Sequence, residues 1–344
     1  MGQHGKDRRG GARGQGQSRD VQVSKALSLL LRHAAEKEGV KMNAQGYANV
    51  ADVLEWRKLK SIKATFDEIK HAVHSSDKKR FALLHIPSAQ PTESTTKATT
   101  NPTTTPGIEE QGDGEIAAGG DQPSTVVLEA PSSNEDQANA TQQALSATDA
   151  DPTNYMIRAT QGHTIQSVDA ASFLEPLSLA DESKLPDTVV HGTFHGAWPL
   201  ILQSGGLRNM GRHHVHFATG PSLESVLAAQ DKMAQDQGAA RDERQVISGM
   251  RRDAQVLIYL DIKKALAAGC PLWRSENGVI LSEGVPVLNG KTDADGNPEK
   301  VVSADFFDVV VERKFGLGKI WERGEVLKEL PENLTKKGTP KNRR

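Results

Sequence analysis

The segment from residue 88 to residue 153 most strongly limits what this chain can fold into. It is rich in Thr, Ser, Pro, Ala, Asp and Gln, it has few aliphatic residues, and it has no aromatic residue. Such a composition cannot bury enough apolar surface to offset the entropy lost on ordering. The sequence therefore predicts a disordered linker, spanning roughly 45 Å, between two folded parts. Most of it should be removable without loss of activity.

The two ends of the chain are basic. Residues 1–22 form a disordered, Gly-rich basic arm, and residues 329–344 form a basic tail. The whole chain has 42 Lys and Arg against 44 Asp and Glu, so its charge does not mark it as a nucleic-acid binder. The basic ends can add salt-sensitive affinity for RNA. Flexible termini that keep the chain soluble are an equally good interpretation.

Three observations limit the class of protein. Cys270 is the only cysteine, which excludes an intramolecular disulfide and a thiolate metal cluster. No apolar run reaches membrane-spanning length, and the amino terminus lacks the apolar core of a secretory signal. The sequence therefore favours an intracellular protein, nuclear or cytoplasmic, with no membrane partner.

Residues 23–87 have the pattern of a compact first domain. Apolar residues recur at helical spacing over 24–34, with a Ser at the start as a candidate cap. A second short helix is expected over 50–54. The sequence TFDE at 65–68 has the form of a capping box that opens a third helix. Residues 79–84 are expected to form a strand.

Residues 154–328 have the pattern of a second, mostly β domain. The expected strands cover residues 189–193, 214–217, 256–260, 279–281 and 306–311. A helix is expected from residue 198, where Pro stands early and Gly follows the end. Residues 221–247 indicate a polar helix or a surface insertion. The whole chain is therefore expected to have an α+β fold.

Four short strings combine Arg or His with apolar neighbours. They are LRH at 31–33, RATQGH at 158–163, HGT at 191–193 and RHHVHF at 212–217. Arg offers a permanently charged fork that matches phosphate oxygens, and His can donate or accept near neutral pH. None of the strings contains a carboxylate, so together they suggest a site for a polyanion. The chain has neither a Rossmann glycine motif nor a Walker loop, so a nucleotide would be held in another way.

In this order, the four strings closely resemble those of the RNA 2′-phosphotransferase family, which removes a splice-junction 2′-phosphate from tRNA with NAD as co-substrate. The resemblance implies a winged-helix-like, RNA-binding lobe over residues 23–87. It also implies an ADP-ribosyltransferase-like, NAD-binding lobe over residues 154–328. Members of the family join these lobes by a short connection, so the long linker is a departure that affects tethering and not chemistry. A monomer is expected.

The resemblance also implies two groups of site residues. The RNA phosphate would be bound and activated by four catalytic residues, Arg32, His33, Arg80 and Arg212. The NAD cleft would be formed by Arg158, Thr160, Gln161, Gly162, His163, His191, Gly192, Thr193, His214, His216, Asn277 and Gly278. Taken alone, some of these residues have ordinary structural explanations. Arg32 and His33 are a basic pair of the kind that favours a helix end, and a lone His at a strand end is more often structural.

His214 and His216 share one face of a strand, which raises the question of a metal. Zinc sites need three or four ligands, and no Cys or carboxylate stands at a useful spacing, so no metal is expected. Structural, phosphate-contacting and NAD-contacting roles remain open for both histidines. Glu276 stands next to a turn that resembles one near the family's cleft, but it is not equated with the catalytic Glu of protein-modifying relatives.

The implied reaction has two steps. The RNA 2′-phosphate displaces nicotinamide from NAD, giving 2′-phospho-ADP-ribosylated RNA. The ribose 2″-hydroxyl then attacks the phosphorus, and the products are RNA with a 2′-hydroxyl and ADP-ribose 1″,2″-cyclic phosphate. His33 is the candidate for proton transfer. Two alternatives are an ADP-ribosyltransferase that modifies terminal phosphates of nucleic acids and a catalytically inactive RNA-binding protein. The joint presence of Arg32, His33, Arg80 and Arg212 favours the enzyme.

Overall fold

The computed structural model describes residues 18–87, 133–235, 248–287 and 298–336, together with residues 292 and 296. Most of the predicted basic arm, the linker from 88 to 132 and the end of the basic tail lie outside the described residues. The described α-helices are α1 (Arg19–Leu29), α2 (Val50–Glu55), α3 (Arg57–Ser61), α4 (Phe66–His74), α5 (Asn134–Ser146), α6 (Trp198–Gln203), α7 (Leu223–Gln235), α8 (Ile262–Ala267) and α9 (Glu332–Thr335).

The strands of the described residues form four antiparallel sheets. They are β1 (Ala48–Asn49), β2 (Phe81–His85), β3 (Tyr155–Ala159), β4 (Glu175–Pro176), β5 (Val190–Thr193), β6 (Gly206–Leu207), β7 (Val215–Phe217), β8 (Val256–Leu260), β9 (Leu272–Arg274), β10 (Ile280–Ser282), β11 (Val285–Pro286), β12 (Lys300–Ser303), β13 (Phe307–Glu312), β14 (Gly318–Glu322) and β15 (Glu325–Val326). The fold therefore mixes helices with antiparallel sheets.

One hydrophobic core joins residues on both sides of the predicted linker. Its buried side chains come from residues 23–83 and 144–168, and we call these parts of the chain, with α5, the first lobe. Its sheet has the order β1-β3-β2, and Ala82 of β2 pairs with Arg158 of β3. The domain boundary expected at residue 154 falls directly before β3, yet β3 is the central strand of the first lobe.

The prediction of a disordered linker over residues 88–153 is wrong for residues 134–146. Residues 134–146 form α5, which is capped by the Ser133 side chain and packs on β2. Gln137 and Thr141 are buried on the inner face of the helix, and Ala144 belongs to the first core. Composition missed this helix because its buried face is made of small and polar residues, which are stabilised by partners that lie elsewhere in the chain.

The second lobe starts at residue 174 and contains the other hydrophobic clusters. A five-stranded sheet has the order β15-β14-β13-β8-β5, and a four-stranded sheet has the order β4-β9-β10-β7. All five residues of β8 are buried, as its uninterrupted apolar sequence requires. The third sheet of this lobe, β11-β12-β6, is small.

Most local predictions are confirmed. The capping box forms with both of its hydrogen bonds, and α6, β5, β7, β8, β10 and β13 lie where the sequence predicted them. The first helix starts earlier than expected, at Arg19, with Ser18 rather than Ser24 at its cap position. The polar segment from residue 221 contains α7, and residues 236–247 lie outside the described residues.

Candidate active site

Two sheets of the second lobe meet where β5 begins and β7 ends. Val190 and Ala218 exchange two backbone hydrogen bonds, with N–O distances of 2.9 and 2.8 Å. One residue further on, Nδ1 of His191 donates to the backbone oxygen of His216 at 2.9 Å. Because a carbonyl oxygen only accepts, Nδ1 of His191 carries the proton and Nε2 is left as an acceptor.

Arg32 and His33 lie in a π-helical turn, Leu30–Ala34, that continues α1. Such turns are frequent at functional sites. The turn contacts the loop after β3, where Thr164 N and Oγ1 donate to Arg32 O at 2.8 and 3.3 Å. His33 Nδ1 lies 3.0 Å from the same hydroxyl. Since that hydroxyl donates to Arg32 O, His33 Nδ1 donates to it, and His33 Nε2 remains free to accept a proton.

The loop after β3 brings the two lobes together at Gly162. This residue has a φ of +81°, a conformation that favours glycine. A Cβ at this position would lie 3.5 Å from His216 Nε2 and 3.7 Å from a guanidinium nitrogen of Arg32. His213 N also donates to His163 O at 3.2 Å. The first-lobe Arg32, the loop and the second-lobe His216 therefore line one space.

The segments that carry the four predicted catalytic residues all contact the loop after β3, since Thr160 N of that loop donates to Arg80 O at 3.0 Å and His213, beside Arg212, donates to His163 O. Burial, followed by the charges of Arg80 and Arg212, lowers the pKa of Arg32 to about 10. Burial, Arg212 and Arg32 likewise lower the pKa of His33. Arg32 Nε is buried without a hydrogen-bond partner in the described part of the chain. Repulsion among these cations is relieved when a multiply charged anion binds between them.

The deeper histidines are uncharged at neutral pH. Burial is the main cause that lowers the pKa of His163 and of His216 to about 3, and that of His214 to about 4. The His214 ring lies 5.3 Å from Trp273, and its Nε2 is 3.9 Å from a Glu283 oxygen. Within the described ranges, no group of three or more His, Cys, Asp or Glu residues is placed to hold a metal ion.

Arg158 of β3 is buried between two aromatic rings of the first lobe. Its side chain is only 2% exposed, and its guanidinium carbon lies 4.1 Å from the Phe173 ring centre and 5.0 Å from that of Tyr47. It donates to Gln137 Oε1 at 2.9 Å. The hydrogen bond to Gln137 ties Arg158 to α5, and the contact with NAD that the resemblance implies stays a prediction.

Thr160 and Asn277 connect the site to the turn that precedes β2. Thr160 Oγ1 donates to Lys79 O at 3.0 Å, and Thr160 N donates to Arg80 O at 3.0 Å. Asn277 Nδ2 donates to Lys78 O at 2.7 Å, and its Oδ1 accepts a hydroxyl at 2.7 Å. These side chains are already engaged by the protein, and they position the turn that carries Arg80.

The other residues predicted for the NAD cleft differ from one another in their packing and hydrogen bonding. A Cβ on Gly192 would lie 2.4 Å from Met250 Cγ, so this glycine is required by packing inside the lobe. Thr193 is buried, and Gly278 closes a turn with a φ of +76°. Gln161 is half-buried, and its Oε1 has no hydrogen-bond partner among the described residues.

Arg251 belongs to the same region and was not predicted. Its guanidinium carbon lies 5.5 Å from the Phe194 ring centre. Burial lowers the pKa of both His191 and Arg212, and the charge of Arg251 lowers them further. Arg251 precedes β8, the strand that pairs with β5. The sequence offered one signal for this residue. Arg251 and Arg252 stand just before the apolar run of β8, and the four strings likewise combine Arg or His with apolar neighbours.

The fold and the site together define a protein of two lobes with a cationic cleft for a phosphorylated ligand. No helix in the parts of the chain that the structure describes is long and apolar enough to cross a membrane.

Comparison with known proteins agrees with this class. The model of the RNA 2′-phosphotransferase, Tpt1 / KptA family matches residues 18–284. A curated tRNA 2′-phosphotransferase of Saccharomyces cerevisiae is 30% identical over 306 residues, covering 88% of this chain and 96% of that protein. The tRNA 2′-phosphotransferase 1 of Homo sapiens is 31% identical over 268 residues, covering 78% and 71%. That of Danio rerio is 29% identical over 280 residues, covering 81% and 85%.

This chain therefore belongs to the RNA 2′-phosphotransferase family, and it is a transferase. The resemblance drawn from the four strings is confirmed.

Proposed function

We propose that this chain transfers the splice-junction 2′-phosphate of tRNA to NAD, giving RNA with a 2′-hydroxyl, nicotinamide and ADP-ribose 1″,2″-cyclic phosphate. The relatives named above carry tRNA 2′-phosphotransferase in their names, and this supports tRNA as the substrate. The observation that carries the proposal is the convergence of Arg32, Arg80, Arg212 and His33 from two lobes.

Membership of the family suggests a fold type and a ligand for each lobe. In the first lobe, helices pack on the small sheet β1-β3-β2, which supports a winged-helix-like module that binds RNA. In the second lobe, the sheets containing β5 and β7 meet at the bridge between Val190 and Ala218. This arrangement supports an ADP-ribosyltransferase-like cleft, with NAD bound where the two sheets meet.

The residues present fit NAD as the co-substrate. Uncharged histidines and amide groups suit the ribose hydroxyls and the carboxamide, and several of their atoms are unengaged. Gln161 Oε1 and His163 Nε2 are buried without a partner in the described residues, and His191 Nε2 is left as an acceptor. Arg158 packs against Phe173 next to this group, and Gly162 lets the backbone approach a ligand closely.

The arginines and His33 then account for the chemistry. Arg32, Arg80 and Arg212 orient the RNA 2′-phosphate for attack on the anomeric carbon of the nicotinamide ribose, from which nicotinamide leaves. In the second step the ribose 2″-hydroxyl attacks the phosphorus, and the same arginines stabilise the charge on the phosphate oxygens. His33 Nε2 takes the hydroxyl proton, because the lowered pKa of His33 keeps the ring neutral. The bond between the phosphorus and the RNA 2′ oxygen breaks, and His33 returns the proton to that leaving oxygen, which becomes the 2′-hydroxyl.

One assay tests the function. The purified chain is incubated with an RNA carrying an internal 2′-phosphate, with and without NAD, and the products are identified by mass spectrometry. We expect loss of the phosphate only with NAD, together with nicotinamide and the cyclic phosphate. Equal loss without NAD would indicate a phosphatase. Stable ADP-ribosylated RNA would indicate a transferase that stops after the first step, and RNA binding without any turnover would indicate an inactive RNA-binding protein.

A further inference from the structure

The turn between α4 and β2 carries Arg80, and its backbone is held from both lobes. Thr160, in the loop after β3, donates to Lys79 O and to Arg80 O, each at 3.0 Å. Asn277 of the second lobe donates to Lys78 O at 2.7 Å. The position of the Arg80 backbone is therefore fixed, and the direction of its long side chain is left to be set by another contact.

The hydroxyl of Ser76, in the same turn, makes that contact. Arg80 Nη1 donates to Ser76 Oγ at 3.3 Å, and Arg80 N donates to the same oxygen at 3.4 Å. Both residues are half-buried. The parts of the chain that the structure describes offer no hydrogen-bond partner to Arg80 Nε or Nη2. This edge of the guanidinium presents two parallel donors, which is the arrangement that binds two oxygens of one phosphate.

A neutral acceptor suits an arginine that is to bind a phosphate. A carboxylate at the place of the Ser76 hydroxyl would form an ion pair with Arg80 and compete with the incoming anion, whereas a hydroxyl holds the guanidinium and leaves its charge available. The exposed Asp77 acts on Arg80 through its charge, and the two form no ion pair in the described ranges. The charge of Arg80 also acts on Arg32. Because like charges repel, an Arg80 side chain without the hydroxyl would turn away from Arg32.

We propose that Ser76 is a positioning residue, whose hydroxyl orients the Arg80 guanidinium so that its Nε and Nη2 edge faces the RNA 2′-phosphate. This inference rests on the proposed function, which places Arg80 at that phosphate. Ser76 acts through Arg80 and not on the reacting atoms. Since the guanidinium is oriented before the phosphate arrives, binding the phosphate costs less side-chain entropy.

The test compares Ser76→Ala with the matched control Ser75→Ala. The control removes the neighbouring hydroxyl, which is exposed and donates to His71 O at 2.7 Å. Fluorescence anisotropy measures the Kd of an RNA with one internal 2′-phosphate and the Kd of the same RNA without it. The ratio of the two Kd values reports on recognition of the 2′-phosphate alone. Both substitutions are also made in an Arg80→Ala background, and the KM for NAD and kcat/KM for the phosphorylated RNA are measured in the chain with Arg80.

For Ser76→Ala we expect the preference for phosphorylated RNA, and kcat/KM for that RNA, to fall about tenfold, as for the loss of one hydrogen bond to a charged group. The KM for NAD and the Kd of the unphosphorylated RNA should not change, which a general loss of folded protein would not allow. In the Arg80→Ala background, Ser76→Ala should have no further effect on the preference, because the two side chains act as one pair.

Three results would overturn the role of Ser76. They are an unchanged preference in Ser76→Ala, an equal fall in Ser75→Ala, and an equal further fall when Ser76→Ala is added to Arg80→Ala. A different result would separate this inference from the proposed function. If the chain prefers phosphorylated RNA and Ser76→Ala weakens that preference, but no NAD-dependent turnover occurs, the proposed function is overturned and the role of Ser76 in orienting Arg80 stands.

Discussion

We expect Arg212 to act on the RNA phosphate and His191 to act on NAD, so replacing each of them should separate the two steps of the proposed reaction. In the second step negative charge develops on the phosphate, which is where Arg212 is proposed to act. We expect Arg212→Ala to remove about 2–4 kcal/mol of transition-state stabilisation, roughly 30- to 1000-fold in rate. Because the first step depends less on this charge, ADP-ribosylated RNA should accumulate on a gel. His191→Ala should weaken the use of NAD without any accumulation. Accumulation with His191→Ala and none with Arg212→Ala would reverse this assignment.

Glu276 makes the stability of the lobe junction depend on pH. Burial raises the pKa of this carboxyl to about 7, against an ordinary value of 4.5, although the charges of Arg158 and Lys79 act in the opposite direction. The folded state therefore holds the proton more tightly than the unfolded state. As the pH rises from about 4.5 through 7, the folded state loses stability relative to the unfolded state.

Glu276→Gln removes this titration and should raise the melting temperature more at pH 8 than at pH 4.5. We expect a stabilisation of about 1–2 kcal/mol at pH 8, smaller than the full shift would give, because the carboxyl is partly exposed. Thermal melts of the variant and of the exposed control Glu329→Gln, at both pH values, measure the difference. An equal effect of Glu276→Gln at the two pH values would contradict the expectation.

Helix α5 shows where composition fails at the level of a structural element. Gln137 accepts hydrogen bonds from Tyr47 Oη at 2.6 Å and from Arg158 at 2.9 Å, and Asn134 Nδ2 donates to Arg274 O at 3.2 Å. The helix thus holds a buried arginine of the first lobe and touches the second lobe. Apolar periodicity does not reveal this helix, because its buried face is polar. The residues that stabilise that face lie far away in the chain.

Two deletions test this role of α5. Removal of residues 90–130, with a short Gly/Ser bridge, should leave turnover within about threefold, because long surface connections contribute little to stability. Extending the deletion to residue 147 removes α5 and leaves the buried Arg158 charge without its Gln137 acceptor, which should cost about 3 kcal/mol. Urea unfolding and turnover are measured for both. Equal stability of the two deletion variants would show that α5 does not support the site.

At the scale of the whole molecule, the first lobe is built from two separated parts of the chain. Tyr155 and Ile157 of β3 are fully buried in its core, and β3 lies between β1 and β2. A fragment that ends at residue 87 lacks this strand and exposes the apolar faces that it covers. The core of the first lobe therefore depends on residues that follow the predicted linker.

We expect the fragment 18–87 to show no cooperative thermal transition by circular dichroism, whereas the full chain does. Adding the missing part in the fragment 18–169, with residues 90–130 replaced by a short bridge, should restore a transition, because that fragment contains β3 and α5. A sharp transition in the fragment 18–87, at the temperature of the full chain, would show that the lobe folds without β3.

The amino-acid sequence alone determined the features that depend on near neighbours. The capping box at residues 65–68, the buried run of β8 and the four Arg and His strings are each recognisable within a few residues, because caps, apolar periodicity and side-chain chemistry act locally. The grouping of Arg32, His33, Arg80 and Arg212 followed from the family resemblance, and the structure brings these residues together.

Only the tertiary structure decided which distant segments meet. It placed β3 in the first lobe, formed α5, buried Arg158 between Phe173 and Tyr47, and set Arg251 over the Phe194 ring. Each of these results depends on a partner that lies far along the chain. A buried polar side chain is stable only when such a partner is in place, and no local pattern records where that partner will be.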